Sequence, residues 1–327
     1  MITSMRFEED MLNTDVRQTA MIKRFCSAQE SLQLADPFPA LAMPAHKGLD
    51  GLIRPVKTDQ QECLFKSYHH DVLPPYTFSN AVTSYAKAGE LGIGPKLIVG
   101  DSTTESLIIE YLKDDWRMAV VTDFKDKDLM ARLVSTKKTW HHQGRSELDI
   151  SAFDIFTHYK KVWEASANKV PLPVNTDITL EKMADWMSTI QSAFSAAGYD
   201  LGVLHGENTT SNILLSTGKQ IALVDFDRTT VSDPMWDLAA LSHEVCTDDE
   251  DREALLEMYF GQSSKALLAR MKLYMLVDDA VWSLWALLGE MNEYRKGPEL
   301  YKYAANRLIR LRLHVSNFDL STLIREM

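Results

Sequence analysis

Apolar and polar residues recur along this chain with two different periods, and the shifts between them outline its elements. From residue 4 to 33, Leu12, Val16, Ala20, Ile22, Phe25 and Cys26 follow roughly helical spacing, which predicts an N-terminal helix used as a packing extension and broken at Pro37 and Pro39. From Gly48 to Tyr68 the pattern turns strand-like: GLDGLIRPV, the polar turn KTDQQE and CLFKSY predict two antiparallel strands, the first made irregular by Pro55. Phe78 to Leu91 reads as a helix with Val82, Tyr85 and Ala86 on one side, closed by Gly92, Gly94 and Pro95. LIIEYL at 107–112 reads as an apolar strand. Helical periods then dominate, over Phe124 to His142, Phe153 to Ala165 and Leu180 to Ala197. A strand-rich first part followed by a helical remainder is an α+β pattern.

The densest chemistry lies between Leu201 and Ala239, LGVLHGENTTSNILLSTGKQIALVDFDRTTVSDPMWDLA. An apolar run ends at Leu204 and delivers His205, Gly206 and Glu207. Asn212 follows on a polar loop, and a short buried strand, Ile221 to Val224, ends in Asp225 and Asp227. Phosphoryl transfer needs a carboxylate to orient or deprotonate the attacking hydroxyl, and hard oxygen ligands to hold Mg²⁺ against a triphosphate. Glu207 is the candidate base. Asn212 and Asp225 are the candidate metal ligands, with Asp227 at the metal or substrate edge.

With its ordered histidine, glycine, acid, asparagine and strand-ending aspartate, this segment resembles that of the aminoglycoside phosphotransferase and choline/ethanolamine kinase superfamily. The resemblance covers about residues 46–312. It implies a bilobal protein kinase-like fold: an N-terminal helical extension at 1–40, a small mixed β-sheet N-lobe that binds nucleotide at 41–112, and a larger helical C-lobe at 113–327. It further implies ATP and Mg²⁺ as cofactors, Lys66 on the α and β phosphates, and a hinge at Glu110 to Leu112 that holds the adenine. Gly48 and Gly51 are candidates for a loop over the nucleotide.

The chain departs from the family pattern at two points. Glu207 stands where the family carries aspartate, moving the charge outward by one methylene. Ser79, Asn80 and Ala81 occupy the helix turn where the family places a glutamate to pair the lysine, Glu90 lies at the wrong end to replace it, and Asn80 or a water is left as the lysine's partner. On the acceptor side, Asp237 resembles an aspartate that braces the catalytic loop, with a helix N-cap as its other reading. Glu244, Trp282, Trp285 and Tyr303 resemble the acid and aromatic box that hold a quaternary ammonium in choline kinases, where a cation gains about 2 kcal/mol from aromatic faces when desolvated. Leu300 stands where a further tyrosine is expected. The implied reaction is ATP-dependent phosphorylation of a small-molecule hydroxyl, with choline or ethanolamine as acceptor. An aminoglycoside, other hydroxylated antibiotic or sugar as acceptor, and a nucleotide-binding pseudokinase scaffold, are the alternatives.

Composition narrows this picture. At 327 residues the chain is long enough for a bilobal unit, and its net charge of −11 opposes nucleic acid as a partner while suiting a cationic small molecule. No apolar run approaches the roughly 20 residues that span a bilayer, and the first residues lack an apolar signal core, so the expected location is cytoplasmic, without a membrane partner. Cys26, Cys63 and Cys246 are far apart and suit reduced buried thiols. The pairs His69/His70 and His141/His142 lack metal-site spacing and read as surface or packing histidines.

Overall fold

The β-branched and aromatic run of 51–68 folds back on itself at a turn closed by Thr58, whose hydroxyl donates to the Gln61 carbonyl at 3.0 Å and accepts from its N–H at 3.1 Å. This hairpin, β2 (Gly51–Thr58) and β3 (Glu62–Tyr68), is the centre of a five-stranded antiparallel sheet. The computed structural model describes residues 19–22, 25, 32–40, 48–59, 61–68, 75–167, 169–173, 177–291 and 299–327. In strand order the sheet runs β1 (Leu32–Leu34), β2, β3, β5 (Ser106–Glu110), β4 (Leu97–Asp101).

Two sequence expectations change here. Most of the N-terminal helix predicted over 4–33 lies outside the described residues. Residues 19–22 are helical, but Leu32–Leu34 is an edge strand, because the bare flank of β2 offers it backbone partners that outweigh a helical spacing of side chains. Met21 and Ile22 pack with Val56, Cys63, Phe65 and Ile108 as a small core beneath the sheet. Pro55 leaves β2 regular: it pairs with Leu64, while β1 ends at Leu34 opposite Val56, so its missing N–H falls where the edge strand stops.

Thr77 caps the helix α1 (Phe78–Glu90) by accepting from the Asn80 N–H. The remainder is mainly helical: α2 (Lys127–Gln143), α3 (Ala152–Ala165), α4 (Leu180–Ala197), α5 (Pro234–Val245), α6 (Asp249–Phe260), α7 (Lys265–Met291), α8 (Leu300–Asn317) and α9 (Leu320–Glu326). Side chains of α7 are buried almost without interruption from Met271 to Gly289, so helices surround it on all sides. Among the described residues no helix is long and apolar enough to cross a membrane. The fold is the bilobal α+β arrangement expected of a kinase-like chain.

Two small sheets come from residues 116–232: β6 (Trp116–Met118), β8 (Ile213–Ser216) and β9 (Ile221–Leu223) in one, β7 (Gly202–Leu204) with β10 (Thr230–Ser232) in the other. Phe226 joins the halves. Its buried ring meets Tyr85 of α1, Trp140 of α2 and His205 edge-on at 5.5, 4.9 and 4.8 Å between centroids. Gly94 leaves room for it, since a Cβ there would come within 2.7 Å of the Phe226 ring.

Candidate active site

Between the lobes lies a cavity of about 330 Å³. Ile53, Leu64 and Ile109 of the N-lobe sheet and Leu214 and Val224 from the other side form apolar walls, and Lys66, Asn212 and Asp225 stand on the same lining. Glu110, Tyr111 and Leu112 follow along its edge, where Glu110 accepts from the Lys96 N–H at 3.2 Å. Gly48 touches the cavity, whereas Gly51 belongs to β2, where a Cβ would strike the Ser67 carbonyl at 2.4 Å. Its smallness therefore serves strand packing rather than a loop.

The partner of Lys66 is neither a helix residue nor Asn80. Its Nζ lies 2.5 Å from Asp225 Oδ1 and also bonds Asp227, whose other oxygen accepts from the Tyr68 hydroxyl at 2.5 Å. Asn80 is used elsewhere, donating to the Thr229 carbonyl at 2.7 Å and accepting from Ser146 and the Glu147 N–H, which ties α1 to the C-lobe. Burial works against the Lys66 charge, and Asp225 and Asp227 outweigh it, holding its pKa well above the usual 10.5. The two acids are pushed apart: both are raised by burial, but Lys66 brings Asp225 below the ordinary carboxylate value, while Asp227 stays at about 7. Asp225 has 28% of its side chain exposed and a left-handed backbone, φ 69°, a strained conformation held by the surrounding structure. Asp227 stands behind Lys66 at 7% and is absent from the cavity lining.

The loop after β7 is fixed from beneath by Asp237. Its carboxylate accepts from the backbone N–H groups of His205 and Gly206 at 2.8 and 3.1 Å, from the Asn208 amide at 2.7 Å, and bonds the His141 ring at 3.0 Å. The helix N-cap is Asp233, four residues earlier, so the bracing reading of Asp237 is the one the geometry shows. Gly206 has φ 79° and passes so close to the Arg228 carbonyl that a Cβ would lie 2.4 Å from it. His141 is a buried packing residue, while His69 and His70 lie outside the described residues. Cys63 and Cys246 are buried thiols, and Cys26 lies outside the described residues.

Glu207 is buried in an ion pair with Arg228, its Oε1 2.5 Å from Nε, and its Oε2 accepts a hydrogen bond from the Asn212 amide nitrogen at 3.4 Å. That bond leaves the amide oxygen of Asn212 for a cation. With the partly exposed Asp225 on the same cavity, the donor set is two hard oxygens, which fits Mg²⁺. Burial raises the Glu207 pKa well above 4.5, against the pull of Arg228 and with further push from Asp225 and Asp50.

Glu207, Glu244 and Trp282 line a second, smaller cavity. Glu244 also accepts from the Thr210 N–H at 2.6 Å. Trp282 and Trp285 meet edge-on at 5.2 Å, as their three-residue spacing on α7 predicts. Tyr303 does not join them as a wall. It meets Trp285 edge-on at 6.0 Å and accepts from Arg307 Nε at 2.8 Å, and it is absent from the linings of the cavities that Trp282 and Trp285 touch. The third aromatic wall is Tyr76, from the segment leading into α1. The residue between the walls is Arg228, whose guanidinium carbon lies 4.8, 5.0 and 5.3 Å from the ring centroids of Trp282, Trp285 and Tyr76.

Sequence reasoning missed Arg228, Tyr76 and Asp50. Arg228 directly follows the Asp-Phe-Asp run, but nothing in its spacing announces a buried cation.

A model of the phosphotransferase enzyme family matches residues 56–274. The protein LicA of Haemophilus influenzae is 21% identical over 233 residues, which span 68% of this chain and 65% of that protein, just under two thirds of its length. A choline/ethanolamine kinase family protein from Mesorhizobium loti superposes with a TM-score of 0.70 at 21% identity, covering 89% of this chain and 92% of that one. Choline kinase LicA from Streptococcus pneumoniae superposes with a TM-score of 0.72 at 18% identity, covering 92% and 99%.

Proposed function

Because the chain belongs to the phosphotransferase enzyme family, we propose that it is an ATP-dependent small-molecule kinase that moves the γ-phosphoryl group to the hydroxyl of an amino alcohol of the choline or ethanolamine type. The observation that carries this reading is the convergence of Lys66, Asn212 and Asp225 on one apolar-walled cavity, with Glu207 buried beside Asn212.

Ile53 and Leu64 on one side and Leu214 and Val224 on the other would hold the adenine ring, beside Glu110 to Leu112 on the same lining. Lys66 exchanges part of its contact with Asp225 for the phosphates. Asn212 and Asp225 would hold Mg²⁺, which would supply charge neutralisation on the phosphate oxygens. Asp227 keeps Lys66 in place from behind rather than ligating the metal. Glu207 orients the acceptor hydroxyl and takes its proton as the oxygen–phosphorus bond forms and ADP departs. Glu244 and the tryptophans stand on the acceptor side of Glu207. The names of the structural relatives support an amino alcohol as acceptor.

Purified protein incubated with Mg²⁺-ATP and a panel of amino alcohols, aminoglycosides and sugars tests this. Acceptor-dependent ADP release with an amino alcohol, absent in Asp225→Ala, is expected. Release with an aminoglycoside or sugar alone would replace the acceptor class, and nucleotide binding without any turnover would leave a pseudokinase.

A further inference from the structure

The two tryptophans that sequence comparison offers to an acceptor's ammonium already enclose a cation, and it belongs to the chain. Arg228 has 4% of its side chain exposed, lies over the faces of Trp282, Trp285 and Tyr76, and is paired through Nη2 with Asp50 at 2.6 Å and through Nε with Glu207 at 2.5 Å. A guanidinium draws the same attraction from an aromatic face as a trimethylammonium does, and the two cannot share one set of faces. Swinging Arg228 out would take a guanidinium away from two buried carboxylates, Asp50 and Glu207.

Building on the kinase reading above, we propose that Arg228 is the resident cation of the aromatic box and selects against quaternary ammonium acceptors. The amino alcohol accepted is one whose ammonium carries N–H donors. Such a group is recognised by oxygens, and the cavity beside Glu207 supplies them in Glu244 and Thr209. A primary ammonium offers three donors to such a site, whereas a trimethylammonium offers none and needs the faces that Arg228 covers. Arg307 and Arg310 also reach this cavity, but both are tied to buried aspartates: Arg307 to Asp278 at 2.9 Å, and Arg310 to Asp279 at 2.5 Å. Arg228 thereby acts as a specificity-determining residue and, through Glu207, as a positioning one.

The test compares ethanolamine with choline as acceptors and titrates tetramethylammonium by tryptophan fluorescence, in the wild type and in Arg228→Ala. The wild type is expected to prefer ethanolamine in kcat/KM by about a hundredfold, because a site built for N–H donors rejects an analogue that lacks them. It is expected to show no tetramethylammonium binding, and Arg228→Ala is expected to gain it and to narrow the preference at least about tenfold. Tetramethylammonium binding to the wild type, or equal use of choline, would overturn the proposal. The wild-type titration stands even if the variant fails to fold. If neither amino alcohol is phosphorylated, the kinase reading fails on its own account, and the titration still decides whether Arg228 fills the box.

Discussion

The nucleotide side and the acceptor side of this cleft are built on opposite principles. The first is an open, apolar-walled cavity in which one lysine holds two acids in reserve, and the contacts that keep Lys66 ready are contacts a triphosphate and Mg²⁺ would replace. The second is closed upon itself: its aromatic faces are covered by Arg228, and its candidate base is paired with that same residue. One half awaits a ligand with its charges poised, while the other has its recognition surface partly spent on an internal ion pair.

The difference can be broken first at its nucleotide end. Asp225→Ala should lower Mg²⁺-ATP-dependent turnover by at least about a hundredfold, since the metal loses a charged ligand and Lys66 loses its exposed partner, as steady-state kinetics would show. Asp237→Ala should act on both halves together. It strands two backbone N–H groups and the Asn208 amide in a buried site, and should cost about 3–5 kcal/mol in chemical denaturation, the range for breaking a buried charged network. Glu207→Asp restores the residue type of the family but withdraws the carboxylate by one methylene from Arg228. Turnover should fall by on the order of tenfold to a hundredfold with little change in ATP affinity, which would localise Glu207 to the acceptor side.

The smallest effect expected is on pH dependence. Glu207 must be ionised to take a proton, and burial raises its pKa. The acid limb of kcat/KM should therefore lie above the ordinary carboxylate value of 4.5, with activity rising as pH rises through it. Arg228 opposes that rise, so Arg228→Gln should move the limb to still higher pH. A limb that moves to lower pH in this variant would show that Arg228 does not hold the charge of Glu207.

The same contrast explains what could be read from sequence. The nucleotide side is spelled out by short consecutive runs, in which Asn212 and Asp225 lie close in the chain and Lys66 sits on a hairpin of obvious alternation. The helices α1 to α4 were equally legible from their periods. The edge strand Leu32–Leu34 was not, because three apolar and polar residues carry no decisive period and their pairing depends on a flank supplied by β2. The acceptor side depends on convergence across the chain. Asp50 and Arg228 are 178 residues apart, and Tyr76 arrives from a segment that carries no motif. Trp282 and Trp285 were visible as a pair on one helix face, but what lies against that face is a tertiary fact. Tyr303 followed the expected motif, yet it meets only the edge of the pair and stays off the cavity linings, since the packing of α8 on α7 is a tertiary fact as well.

A crystal structure with ADP, Mg²⁺ and ethanolamine tests the central claim most directly. The account predicts ADP in the cavity walled by Ile53, Leu64, Leu214 and Val224, Mg²⁺ on Asn212 and Asp225, and the ethanolamine hydroxyl at Glu207 with Arg228 still seated between Trp282 and Trp285. Ethanolamine lodged between those tryptophans with Arg228 displaced, or ADP bound away from Lys66, would contradict it.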